Sequence, residues 1–208
     1  GDYAFYGCEA LTDVTLPESC EVISAHAFEN CTGIDTIHID NAFCSLGVGA
    51  FRNCNRMRMA NIGNNISQIG NMCFAYCSSL QGINDKTKLT LPMSLDTINT
   101  ATFFMCEKIR GKIILPHKIT TIQDNAFEGC RQIHSIEISK KLNFIAHSAF
   151  EKTYNFTRFV GSSTDYYTIH YGVLYNKDMS ILLYCPKGYN GIRVNGAEGI
   201  FNLIKFTT

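Results

Sequence analysis

Apolar positions along this chain recur on a fixed cycle. Seven phenylalanines, at positions 5, 28, 51, 74, 103, 127 and 150, are spaced by 23, 23, 23, 29, 24 and 23 residues. Each sits in a short motif of the form Ala-Phe-x-x-Cys. Clear copies are Ala4-Phe5-Tyr6-Gly7-Cys8, Ala27-Phe28-Glu29-Asn30-Cys31, Ala50-Phe51-Arg52-Asn53-Cys54 and Ala126-Phe127-Glu128-Gly129-Cys130. Looser copies begin at Cys73 and Thr102, and the copy at Ala149 ends in Thr153 instead of Cys. A fixed period in this range marks a solenoid, in which each repeat buries its apolar face only by stacking on its neighbours.

Within one cycle the period changes. After the Cys position, apolar residues fall at +3, +6 and +8: Leu11, Val14, Leu16; Ile34, Ile37, Ile39; Met57, Ala60, Ile62; Ile133, Ile136, Ile138. The last two of each set alternate with a polar residue, the period-2 signature of a half-buried strand. A breaker follows: Pro17, Asp40, Gly63, Pro92, Pro116 or Ser139. Proline has no N–H to donate, so the strand ends there. Apolar residues then recur at +3 and +6, as Ile119 and Ile122 or Leu142 and Ile145, and predict a short second strand that turns the chain back. The Ala-Phe-x-x-Cys element is expected to close the cycle as a helical turn, too short to stand alone.

Leu-x-x-Leu-x-Leu-Pro, then Ile, then Ala-Phe-x-x-Cys, resembles the BspA-like leucine-rich repeats. The resemblance covers residues 1–161. It implies an α/β, β-rich fold: a right-handed leucine-rich-repeat solenoid with a curved parallel β-sheet and short helical turns on the other side. Two departures stand out. Residues 81–87 are an insertion, expected to bulge as a loop. The last copy ends in Gly161-Ser162-Ser163, a loop signal.

From 162 the period breaks. Tyr171-Gly172-Val173-Leu174-Tyr175 and Ile181-Leu182-Leu183-Tyr184-Cys185 flank a five-residue polar turn and predict a C-terminal β-hairpin. It also resembles the hairpin insert that interrupts BspA-like arrays. Residues 189–208 read as a degenerate repeat or cap. The domain reading is therefore an array over 1–161, with about seven repeats, and a hairpin insert with a degenerate repeat or cap over 162–208, packed on the same solenoid.

Composition narrows the function classes. The formal net charge is zero and the pI about 7.1, which argues against broad attraction to nucleic acid or anionic membrane. No apolar run approaches membrane-spanning length. The chain lacks an initiator Met and begins inside a repeat, as expected for a piece of a longer protein. Ten cysteines would suggest a disulfide framework. Six of them, however, share one repeat slot: Cys8, Cys31, Cys54, Cys77, Cys106 and Cys130. Cys20 and Cys73 occupy other core slots. Mostly free, buried thiols are expected, with disulfides between neighbouring rungs left open.

The common nucleotide-binding, metalloprotease and hydrolase motifs are absent. Cys73 and Cys77 suggest a metal pair only superficially, because both fill core slots and no second pair stands at zinc spacing. Asp35, His38 and Asp40 are better explained as ordinary polar residues facing water. No enzyme, metal or cofactor is expected. Asn30, Asn65 and Asn155 head N-glycosylation sequons, with Asn65 in a loop the best acceptor.

The remaining candidate is the outer face of the stacked strands. The residue between the last two core positions gives one row: Thr15, His38, Asn61, Thr90, Ile114, Glu137 and Val160. One step back lies a second row, which includes Asp13, Thr36, Met59, Lys88, Lys112, Ser135 and Arg158. Ile114 and Met59 are apolar where the core does not require it, a hint of a contact surface. The mixed, neutral rows suit a protein or glycoprotein ligand, with no nucleic acid, no membrane insertion, and self-association open. The family resemblance implies adhesion or contact with host or neighbouring cells at a cell surface or after secretion. The other reading is a passive spacer or self-assembling scaffold within a larger surface protein.

Overall fold

A computed structural model gives the protein's structure and describes residues 1–39 and 44–190. Most coils supply one longer strand and one short one. In chain order they are β1 (Asp13–Leu16), β2 (Val22–Ile23), β3 (Thr36–Ile39), β4 (Ser45–Leu46), β5 (Met59–Asn61), β6 (Gln68–Ile69), β7 (Gly82–Ile83), β8 (Thr97–Ile98), β9 (Arg110–Ile114), β10 (Thr121–Ile122), β11 (Gln132–Glu137), β12 (Phe144–Ile145) and β13 (Arg158–Val160). The coil at β7 has two short ones, and the coil at β13 has only the longer. The constant period keeps equivalent residues in register, so Val14 pairs with Ile37 and Ile37 with Ala60, all parallel. The result is a β-solenoid. The short strands β2-β4-β6 and β8-β10-β12 form parallel ladders of their own.

The long strands form two sheets where one was expected: β1-β3-β5-β7 and β9-β11-β13. The insertion divides them. Gly82 and Ile83 pair with Met59 and Ala60. The chain then loops, and Leu89 pairs with Ile83 in turn. Coil four therefore passes the sheet twice, and among the described residues no backbone hydrogen bond joins residues 88–91 to β9. The loop is tight at Gly82, where a β-carbon would lie 2.0 Å from the Asp85 carbonyl oxygen and 2.2 Å from that of Lys88. Gly82→Ala should destabilise the fold by about 1–3 kcal/mol, as overpacking against backbone does. Thermal denaturation checks it, and an unchanged melting temperature contradicts it.

The expected helical turns are absent: no residue among those described is helical. Backbone conformation explains why. In the first six copies the residue before the Ala position and the residue before the Cys position are left-handed; in the last copy only Lys152, before Thr153, is. Examples are His26 and Asn30 (φ 56° and 61°), and Asn125 and Gly129 (φ 56° and 75°). These interruptions split the backbone bonding. Ala27, Glu29 and Cys31 donate locally to the residue three before, while His26, Phe28 and Asn30 donate to Val48, Ala50 and Arg52 on the next rung. A helix would keep all these bonds within one coil. Here half are spent joining coils, and the turn becomes a further ladder.

Inside, the seven rings form one stack. Neighbouring centroids are 4.9–5.9 Å apart across the series from Phe5 to Phe150, with planes within 16° of parallel. Beside it runs a thiol ladder. The Sγ–H of Cys54 donates to the Phe28 carbonyl on the preceding rung at 3.2 Å, and Cys77, Cys106 and Cys130 repeat the bond to Phe51, Phe74 and Phe103 at 3.0–3.1 Å. A small residue with a donor is what the slot requires. Thr153, in the coil without Cys, turns its hydroxyl onto Phe150 instead.

Beyond the coils, β14 (Tyr167–His170), β15 (Val173–Asn176) and β16 (Leu182–Tyr184) form an antiparallel sheet. The expected hairpin is β15–β16, with β14 as an unforeseen third strand. Tyr184 packs edge-on against Phe150 and Phe159, so the hairpin covers the end of the ring stack. The sheet is tied down by Phe159 N–H donating to Gly172 and by the Tyr167 hydroxyl donating to Asn143. The cap expected over 189–208 falls, from 191 onward, outside the described residues.

Candidate binding face

Strand register places most of the sequence-derived positions side by side. Thr15, His38 and Asn61 are successive partners on β1, β3 and β5, and Ile114, Glu137 and Val160 on β9, β11 and β13. The second row behaves alike: Asp13, Thr36 and Met59, then Lys112, Ser135 and Arg158. Thr90 does not follow Asn61. The insertion puts Gly82 and Ile83 beside β5, and Thr90 donates its N–H to Ile83, one pass further along. Six extra residues in the cycle displace it.

The two halves of the face differ in chemistry. On the first, His38 Nδ1 and Asn61 Nδ2 lie 3.1 Å apart. At its border the Arg58 guanidinium grips Asp35 through two bonds of 2.5 and 2.6 Å. That hydrogen bonding holds the Asp35 carboxyl below its usual range. Asp35 is thus committed to Arg58, and Asp40 lies outside the described residues. No group of three metal-binding side chains occurs among those described.

On the second half, Lys112 Nζ meets Glu137 at 2.5 Å. Ile114 stands 56% exposed on its strand, which is unusual beside a sheet whose inward side is fully apolar. It lies in a groove of about 680 Å³ between residues 88–91 and β9, continued by Met93, His117, Lys140 and Lys141. A second hollow shares Lys88, Lys112 and Ile114 and extends to Arg110, Gln132 and His134. Sequence reading found Ile114, Lys112 and Thr90 here but not Met93, Arg110, Lys140 or Lys141. Only the Lys140-Lys141 pair after the Ser139 breaker signalled them.

The sequons differ in availability. Asn65 is exposed in the loop before β6. Asn30 donates to the Tyr6 hydroxyl and accepts from Asn53, and Asn155 donates to the Arg131 carbonyl. None of the ten cysteines, all among the described residues, forms a disulfide. Cys8, expected in the buried ladder, is exposed. Burial pushes the Cys54, Cys77, Cys106 and Cys130 thiols far up, so they are poor nucleophiles. Native alkylation at pH 8 should therefore modify Cys8, Cys20 and Cys185 and leave the seven buried thiols intact. Intact mass after labelling checks this, and rapid labelling of the ladder thiols would contradict it.

The family description "BspA type leucine rich repeat region" matches residues 1–89 and 84–193, in six copies. Among solved structures, the chain is similar to the leucine-rich-repeat protein of T. pallidum, with 22% identity and a TM-score of 0.64, covering 71% of this chain and 68% of that one. A leucine-rich-repeat protein from Bacteroides ovatus gives 24% identity and a TM-score of 0.63, covering 79% and 49%. The pneumococcal vaccine antigen PcpA gives 18% identity and a TM-score of 0.53, covering 86% and 48%. The chain thus spans about half the length of the last two. At these identities the likeness is one of fold. No curated protein matches the chain.

Proposed function

The chain belongs to the BspA-type leucine-rich-repeat family, and on that premise we propose that it is a non-catalytic protein-binding module of a cell-surface or secreted protein. Its role in this reading is adhesion to host or neighbouring cells through the concave strand face. The observation that carries the reading is the pair of in-register rows. Thr15, His38, Asn61 and Met59 on one sheet, and Ile114, Glu137 and Lys112 on the other, stand on a rigid parallel scaffold. The fold needs none of them for its core, which lies on the opposite side chains. Solenoids bind through extended faces of this kind, and a vaccine antigen among the structural neighbours is compatible with display outside the cell. No helix among the described residues is long and apolar enough to cross a membrane.

The test is capture from a cell-surface extract by the native chain and by a variant carrying His38→Glu, Asn61→Arg and Glu137→Lys, both shown to fold. A partner held by the native chain and lost by the variant is the expected result. A partner held equally by both moves binding off the face. Capture of nothing by either favours a passive spacer.

A further inference from the structure

We propose that the groove between residues 88–91 and β9 binds an extended acidic segment of a partner protein that carries an apolar side chain at its centre. This deepens, and rests on, the binding-module reading. Three observations converge on the groove.

The first is the break in the ladder. β9 pairs only with β11, and Leu115 directs its N–H to Glu137 on that side. Strand alternation then turns the backbone groups of Lys112 and Ile114 toward the groove. An internal sheet edge of this kind offers main-chain hydrogen bonds to an extended chain.

The second is an apolar floor. Ile114 and Met93 are 56% and 49% exposed and both line the groove. An apolar side chain seated there removes from water the surface that the fold itself leaves uncovered.

The third is charge. No carboxylate lines the groove or the hollow beside it. Lys88 and Lys112 are neutralised by Asp85 and Glu137. Arg110, Lys140 and Lys141 make no ion pair among the described residues. In a chain of zero net charge, this is a local excess of three positive charges around an apolar centre. A sulfated glycan satisfies the charge but leaves Ile114 and Met93 exposed, whereas an acidic peptide with one apolar residue satisfies both.

The experiment uses fluorescein-labelled ten-residue peptides of Asp, Glu and Ser with a central Leu, and the same peptide with Ser in place of Leu. Heparin serves as competitor, and binding to the folded chain is read by anisotropy. Expected is binding of the Leu peptide that weakens ~tenfold on its Leu→Ser change, and by a similar factor in Ile114→Asp and in Lys140→Glu/Lys141→Glu. Rising salt should weaken it further. Gln68→Glu, exposed on the short strand β6 away from the groove, should leave it unchanged. No binding, or binding indifferent to Ile114→Asp, overturns the proposal. Heparin binding that competes while the Leu makes no difference replaces the peptide by an anionic glycan. A captured surface partner lost by His38→Glu/Asn61→Arg but kept by the groove variants overturns the groove alone and leaves the binding-module reading standing.

Discussion

Replacing Phe127 with alanine should lower the unfolding free energy by about 3–5 kcal/mol. The ring is fully buried and stacked on both sides, 5.4 Å from Phe103 and 5.5 Å from Phe150. Truncation removes the transfer free energy of the ring, two aromatic contacts and the filling of a space that fixed backbone ladders cannot collapse. A solenoid's stability is a sum of repeat and nearest-neighbour terms, so the loss falls on the interfaces of that coil with the next on either side. Phe5, 47% exposed at the first rung, should lose far less on the same change. Urea denaturation of the two variants checks the contrast, and equal losses would contradict the stacked-ring account.

Alkaline pH should unfold the protein steeply. Cys54, Cys73, Cys77, Cys106 and Cys130 are fully buried, and burial raises each thiol well above the ordinary value of 9.0. Below pH 9 these thiols are neutral in both states, and their contribution to stability is fully present. Above it the unfolded chain ionises while the folded chain does not, so that contribution is lost as pH rises toward the folded values. Each such group removes about 1.4 kcal/mol per pH unit. Five together remove about 7 kcal/mol per unit at full slope, comparable with the whole stability of a typical domain. Cys44, pushed up to about 11 by burial, adds a narrower contribution. Urea midpoints measured from pH 7 to 10.5 should stay level to about pH 8.5 and then fall, and the fall should soften in Cys106→Ala. A level profile through pH 10 would contradict the account.

The repeat made the core legible from sequence. Equivalent slots stack, so assigning Phe, Cys and the two strand positions once assigned them along the whole array. Turn geometry was not legible, because Ala-Phe-x-x-Cys has helix-like spacing. Some of its left-handed residues are the Gly and Asn that usually betray that conformation, but His26, Met72, Ala101 and Met105 occupy the same positions in other copies, so no single residue type marks the slot. The insertion was visible as a longer spacing. Its consequence was not, since only pairing shows that Gly82 and Ile83, rather than the Leu-Thr-Leu run at 89–91, continue the ladder from β5. The face rows survived on either side of that break because register depends on the period alone. The groove escaped because Met93, Lys140 and Lys141 sit outside the strand pattern, in segments where the repeat constrains nothing.

The claim at the centre of this account is that the strand face meets the partner. A photo-reactive benzoylphenylalanine placed singly at Asn61, Ile114, Gln68 and Val48 tests it most directly. Asn61 and Ile114 lie on the long strands, whereas Gln68 lies on β6 and Val48 in the turn after β4. After irradiation with a captured surface partner, covalent adducts should form from Asn61 or Ile114 and not from Gln68 or Val48. Adducts from Gln68 or Val48 alone would contradict the account and place binding on the opposite flank of the solenoid.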